Sequence, residues 1–114
     1  MIEVLFSSSA ADGDVVSPIL DRNHERKYYS IVFYSDASLT TPVTPTGGTI
    51  TFTASEDGTQ YGDVASFAAD TAGVNSTYTR PSTGGLLRFL KVNMASITGA
   101  SFYQVRVSQY QYNQ

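Results

Sequence analysis

Residues 28–58 read YYSIVFYSDASLTTPVTPTGGTITFTASEDG. In the first part of this stretch Tyr29, Ile31 and Phe33 alternate with Tyr28, Ser30, Val32 and Tyr34. Towards its end Ile50, Phe52 and Ala54 alternate with Thr49, Thr51 and Thr53. A period of two is what a strand with one buried face requires, so two strands are expected here. Between them Ser35 to Gly48 is too polar for a core, and Pro42 and Pro45 rule out a helix. This segment is expected to be a long loop that crosses between sheets or reaches a partner. Ser55 to Thr59 follows as a hairpin turn, with Gly58 free to take a positive φ. Glu56 and Asp57 are neighbours, so in an extended chain they point apart and cannot act as a carboxylate pair. Strand, loop, strand and turn are present, but no catalytic constellation is.

The flanking sequence supplies strands to pair with these two. Ile2, Val4 and Phe6 alternate with Glu3 and Leu5, which predicts an N-terminal strand held in a sheet. Asp12, Gly13 and Asp14 read as a turn, because the spaced acids and closing glutamate of a calcium loop are missing. Val15 to Leu20 reads as a short edge strand, confined there by Pro18. Asp21 to Lys27 is the one charge-dense run and is expected to be a solvated loop. It holds the single histidine, His24, but no nucleophile elbow accompanies it to make it a general base.

Beyond the turn, Tyr61, Val64 and Phe67 are apolar anchors of mixed periodicity; 63–69 fits one helical turn or an irregular strand and is read as the strand, with loop over 70–76. Asn75, Ser76 and Thr77 match a glycosylation acceptor, a tripeptide common by chance. Thr77 to Arg80 reads as a short strand stopped by Pro81, and Ser82 to Gly85 as a turn. Leu86, Leu90, Val92 and Met94 then share one face with Leu87 and Phe89 on the other, the mark of a central strand. Ser96 to Ser101, with Gly99, is the next connection. The closing strand sets Tyr103, Val105 and Val107 against Phe102, Gln104, Arg106, Ser108, Tyr110 and Tyr112. Its tail, Gln109 to Gln114, has aromatic and amide side chains and no charge, which favours a protein contact or a sugar; an inter-subunit contact is expected ahead of a final strand that simply runs past the sheet edge.

Composition narrows the function classes. The chain has 114 residues, which predicts a single domain over 1–114. Only 15% of the residues are charged, against about 25% in an average domain. Ser, Thr and Gly take up the difference, a surface suited to packing against other proteins. A net charge of −3 argues against a nucleic-acid partner, which needs clustered Lys and Arg. With no cysteine there is no disulfide, thiolate catalysis or Cys-based zinc site. One histidine and no paired carboxylates leave little for an enzyme to work with, so the expectation is a non-enzymatic protein without metal or cofactor. Met1 to Phe6 has no basic leader, and no segment approaches the ~20 apolar residues that span a bilayer. The chain is therefore expected to be made in the cytoplasm, with no membrane partner.

Many short strands, turns rich in Gly, Pro, Ser and Thr, and no long amphipathic helix predict an all-β antiparallel β-sandwich. Both a jelly roll and an immunoglobulin-like Greek key fit.

The run Tyr29, Phe33, Tyr34, Ser35, Asp36, Leu39, Thr40, Thr41, Pro42, Val43, Thr44, Pro45, Gly48, Thr49 and Ile50, continuing to Glu56, Asp57 and Gly58, resembles small virion structural proteins of tailed bacteriophages. Tyr78 to Pro81, Gly85 and Leu86, Val92 to Met94, Ile97 to Ala100 and Val105 to Val107 resemble the closing strands of the same family. The resemblance covers most of the chain after residue 27. It implies a capsid decoration or cement protein on the outer surface of the phage head, bound to the lattice of the major capsid protein as a homo-dimer or homo-trimer. A tail, collar or fibre accessory protein fits the same resemblance. A carbohydrate-binding module is a third reading, suggested by Tyr28, Tyr34, Tyr61, Tyr110 and Tyr112. Leu39, Pro42, Val43, Pro45, Tyr110 and Tyr112 are the candidate interface residues, chosen by composition and position.

Overall fold

The computed structural model describes residues 2–21, 26–71, 75–80 and 88–110. His24, the 82–85 turn, Leu86, Leu87 and Tyr112 lie outside them. The two founding strands are β3 (Arg26–Tyr34) and β5 (Gly47–Ser55). Before them come β1 (Ile2–Ser9) and β2 (Gly13–Val16). A two-residue β4 (Pro42–Val43) interrupts the loop between them. After them come β6 (Gly62–Ala68), a 3-10 turn (Ala69–Thr71), β7 (Asn75–Arg80), β8 (Phe89–Thr98) and β9 (Phe102–Tyr110).

The strands form two antiparallel sheets, so the all-β sandwich class holds. One sheet runs β1-β9-β3, and two strands share the outer side of β3. There β7 pairs with Lys27 to Val32 and β4 with Phe33 and Tyr34. The other sheet runs β2-β8-β5-β6. Four of the pairings, β1 with β9, β2 with β8, β3 with β7 and β5 with β6, join partners on either side of the turn between β5 and β6. The chain thus runs out and returns as one long antiparallel ribbon. Bending that ribbon brings β3 against β9 and β5 against β8.

The alternating residues of the central strands meet between the sheets. Tyr29, Ile31 and Phe33 of β3 and Tyr103, Val105 and Val107 of β9 are buried from one side. Ile50, Phe52 and Ala54 of β5 and Leu90, Val92 and Met94 of β8 are buried from the other. The rings of Tyr29, Phe52 and Phe67 stack in series, with centroids 6.4 and 6.3 Å apart. A large side chain buried in this way contributes about 1.5–3 kcal/mol, and no disulfide adds to the total.

Several expectations need correction. The strand expected over 15–20 is β2, shifted to Gly13–Val16, because past Val16 the backbone leaves the ladder. There Ser17 N–H and Leu20 N–H donate to the Leu90 and Arg88 carbonyls. The run Asp21 to Lys27 is not all solvated loop, since Lys27 lies within β3 and is buried. The loop expected over 70–76 is shorter, because β7 begins at Asn75. β8 extends to Thr98, which tightens the connection to β9 around Gly99 (φ +83°). β9 is an interior strand with β1 and β3 on its two sides, and the tyrosine-rich tail beyond Tyr110 lies outside the described residues.

The mixed periodicity of residues 61–67 has a structural cause. The register between β5 and β6 shifts at Phe52 and Thr53, so β6 carries an extra residue at Val64. Val64 and Phe67, three apart, therefore both pack against the core.

Candidate interaction surface

The two outer faces of the sandwich differ in chemistry. On the β1-β9-β3 sheet, register sets side chains in rows across the strands. Glu3, Ser108 and Tyr28 form one row; Leu5, Arg106 and Ser30 the next. Ser7, Gln104 and Val32 follow, then Ser9, Phe102, Tyr34 and Pro42. Tyr28, Val32, Tyr34, Phe102 and Tyr110 are half-buried on this face, and Leu5 is 47% exposed. Tyr28 and Tyr110 meet edge to face with centroids 5.6 Å apart. The charges here oppose each other, with Arg106 Nε 4.0 Å from Glu3 Oε2. Among the described side chains the surface is aromatic with one opposed charge pair, a composition that protein interfaces favour.

On the other sheet the outer row is polar: Asp14, Asn93, Thr51 and Ser66, one from each strand. Asn93 Nδ2 donates to Asp14 Oδ1 at 2.7 Å, and the Thr51 and Ser66 hydroxyls lie 3.1 Å apart. Lys91 Nζ sits 3.9 Å over the Tyr61 ring. These pairs satisfy one another across the strands.

The 35–46 loop stands at the end of the aromatic face, folded around Asp36. The carboxylate accepts from Ser38 Oγ at 2.6 Å, from Thr40 Oγ1, and from the Thr40 and Thr41 amides at 3.1 and 3.0 Å. The Ser38 hydroxyl first, then Thr40 and the Thr41 amide, hold the Asp36 carboxyl well below the usual carboxylate range. Thr46 N–H donates to the Thr98 carbonyl, which ties the loop's far end to the other sheet. The loop is thus fixed by its own hydrogen bonds.

The candidate interface residues divide accordingly. Pro42 is exposed and continues the Tyr34–Phe102 row, and Tyr110 joins the same face beside Tyr28. Leu39 sits in the loop with φ +57°. Val43 packs against the core and Pro45 is buried, so both serve the domain's own packing and are withdrawn from the interface set. Composition missed Phe102, Tyr34 and Leu5 as members of one surface. The signal was present in the outward positions of β1, β3 and β9, but reading it required knowing that these strands are neighbours.

Among the described residues no group of three or more His, Cys, Asp or Glu side chains could hold a metal ion. Among the described residues no helix is long and apolar enough to cross a membrane. No protein-family model matches the chain, and no curated protein matches it.

Proposed function

We propose that the chain is a non-enzymatic virion structural protein of a tailed bacteriophage, a decoration or cement protein that lays its aromatic face on the lattice of the major capsid protein. Support comes first from strand order. With β7 beside β3 and the two-residue β4 set aside, the sheets read β1-β9-β3-β7 and β2-β8-β5-β6, an order that favours the jelly-roll reading of the sandwich. Jelly rolls recur in viral capsid and lectin domains, and that analogy raises the reading without fixing it. The observation that carries the docking role is the contrast of faces among the described side chains: one aromatic with a single opposed charge pair, the other centred on a row of mutually bonded polar side chains. A protein that sits on a shell needs that asymmetry, one side for the shell and one for water.

The sugar-binding reading draws less support. The Tyr61 ring already carries Lys91 over one face, and Tyr28 presents its ring to Tyr110. Titration with millimolar sugars is expected to leave the tyrosine fluorescence unchanged.

The docking face is tested with the double variant Tyr34→Lys, Phe102→Lys, mixed with particles lacking the protein. Both side chains lie outside the core, so the far-UV spectrum should match wild type while co-sedimentation with particles falls at least tenfold. Undiminished co-sedimentation would remove this face from the contact.

A further inference from the structure

Among the described residues, Ile2, Leu5, Val16 and Ile19 are the exposed large apolar side chains, at 38, 47, 46 and 62% exposure. All four belong to β1, β2 or the segment just after β2. Three residues, Ala10 to Asp12, join these two strands, so the outer edges of both sheets lie side by side on one flank of the sandwich. No described strand pairs with the free side of β1 or β2.

Three other described edges are guarded: β6 carries a bulge, β2 is four residues long and β4 begins with Pro42. β1 has eight residues with no proline, lysine or bulge. Such an edge is a template for another strand.

The ladder fixes which groups it offers. Ala10 N–H donates to the Ser101 carbonyl at 2.8 Å, in line with the β1–β9 register. By the alternation of an antiparallel ladder, even-numbered residues of β1 direct their backbone groups to β9, and Glu3, Leu5, Ser7 and Ser9 direct theirs outward.

We infer that the β1 edge pairs with β1 of a second copy, antiparallel and two-fold symmetric about Leu5. The edge is compatible with its own copy, and the charges select the direction. Glu3 is the one charged residue of β1, and antiparallel pairing about Leu5 sets it opposite Ser7 of the second copy. Parallel pairing in register would set Glu3 against Glu3 of the second copy, about 4.8 Å away. The two Arg106 side chains lie three strand spacings apart, about 14 Å, and are screened at physiological salt. Leu5 meets its own copy in a hydrogen-bonded pair at the axis, covering the exposed side chain of each. A two-fold contact of this kind closes on itself and does not grow into a fibre.

The test uses the purified chain alone, so its failure and that of the virion reading are separable. Sedimentation should show a dimer. Leu5→Lys, which sets two like charges at the axis, should give a monomer with an unchanged far-UV spectrum. Because the chain has no cysteine, Leu5→Cys should join to itself with a short bis-maleimide, and Thr44→Cys on the exposed loop should not. A wild-type monomer at the highest attainable concentration overturns the inference. So does a Leu5→Lys dimer, or cross-linking at Thr44 in place of Leu5.

Discussion

At the residue scale, two aspartates organise the loops and make a prediction about acid. Asp57 accepts from the Thr59 and Gln60 amides at 2.8 and 3.0 Å and from Ser55 Oγ at 2.9 Å. The Gln60 amide first, then Thr59 and Ser55, hold its carboxyl well below the usual range, as happens at Asp36. A depressed folded-state pKa means that each carboxylate's contribution is complete above its unfolded value of about 3.9 and fades only as pH falls through the lower folded value. Hydrogen exchange should therefore find the Thr40 and Thr41 amides still protected at about pH 4, where free aspartate is half protonated. Asp36→Asn should strip that protection at neutral pH. Loss of protection in the wild type well above pH 4 would contradict the loop geometry.

Tyr103 offers a test of opposite sign. Its hydroxyl is buried with no hydrogen-bond partner among the described residues, and burial pushes its pKa up to about 12. Tyr103→Phe removes an unsatisfied polar group and should raise stability by about 1 kcal/mol in urea unfolding. Destabilisation of similar size would show that the hydroxyl is bonded. At Gly48, φ is +113° and an added Cβ would lie 2.7 Å from Ile97 Cα. Gly48→Ala should cost on the order of 1–3 kcal/mol from backbone strain alone, read as a lower melting temperature.

At the element scale, Phe52 stacks on Tyr29 of the opposite sheet and on Phe67 of its own. Phe52→Ala should destabilise by about 3–5 kcal/mol in denaturant unfolding, because two rings lose their neighbour. A loss under 1 kcal/mol would mean that the stack is not the centre of the core.

The strands that hold this core were the legible ones. β3, β5, β8 and β9 each bury alternate residues, so their pattern shows in the residues themselves. β4 was not legible because two residues carry no period. β6 was blurred by its extra residue at Val64, which turned a period of two into a spacing of three. The interior position of β9 was hidden for a different reason. It depends on pairing with Ile2 to Ser9 at the far end of the chain, and alternation in β9 is the same wherever the strand sits. The aromatic face was invisible on the same ground, since Leu5, Tyr34 and Phe102 become neighbours only through that pairing.

At the scale of the whole molecule, the two unlike faces of the sandwich support the proposed structural role on a phage particle. A protein in that proposed role would work by repetition, with many copies each making a modest contact through one face. The most direct measurement of the proposed role is copy number, by quantitative mass spectrometry of purified virus particles that contain the chain's gene in their genome, relative to the major shell protein. A ratio near stoichiometric is expected. A ratio lower by one or two orders of magnitude would move the protein to the tail or collar, and its absence from the particle would contradict the virion role altogether.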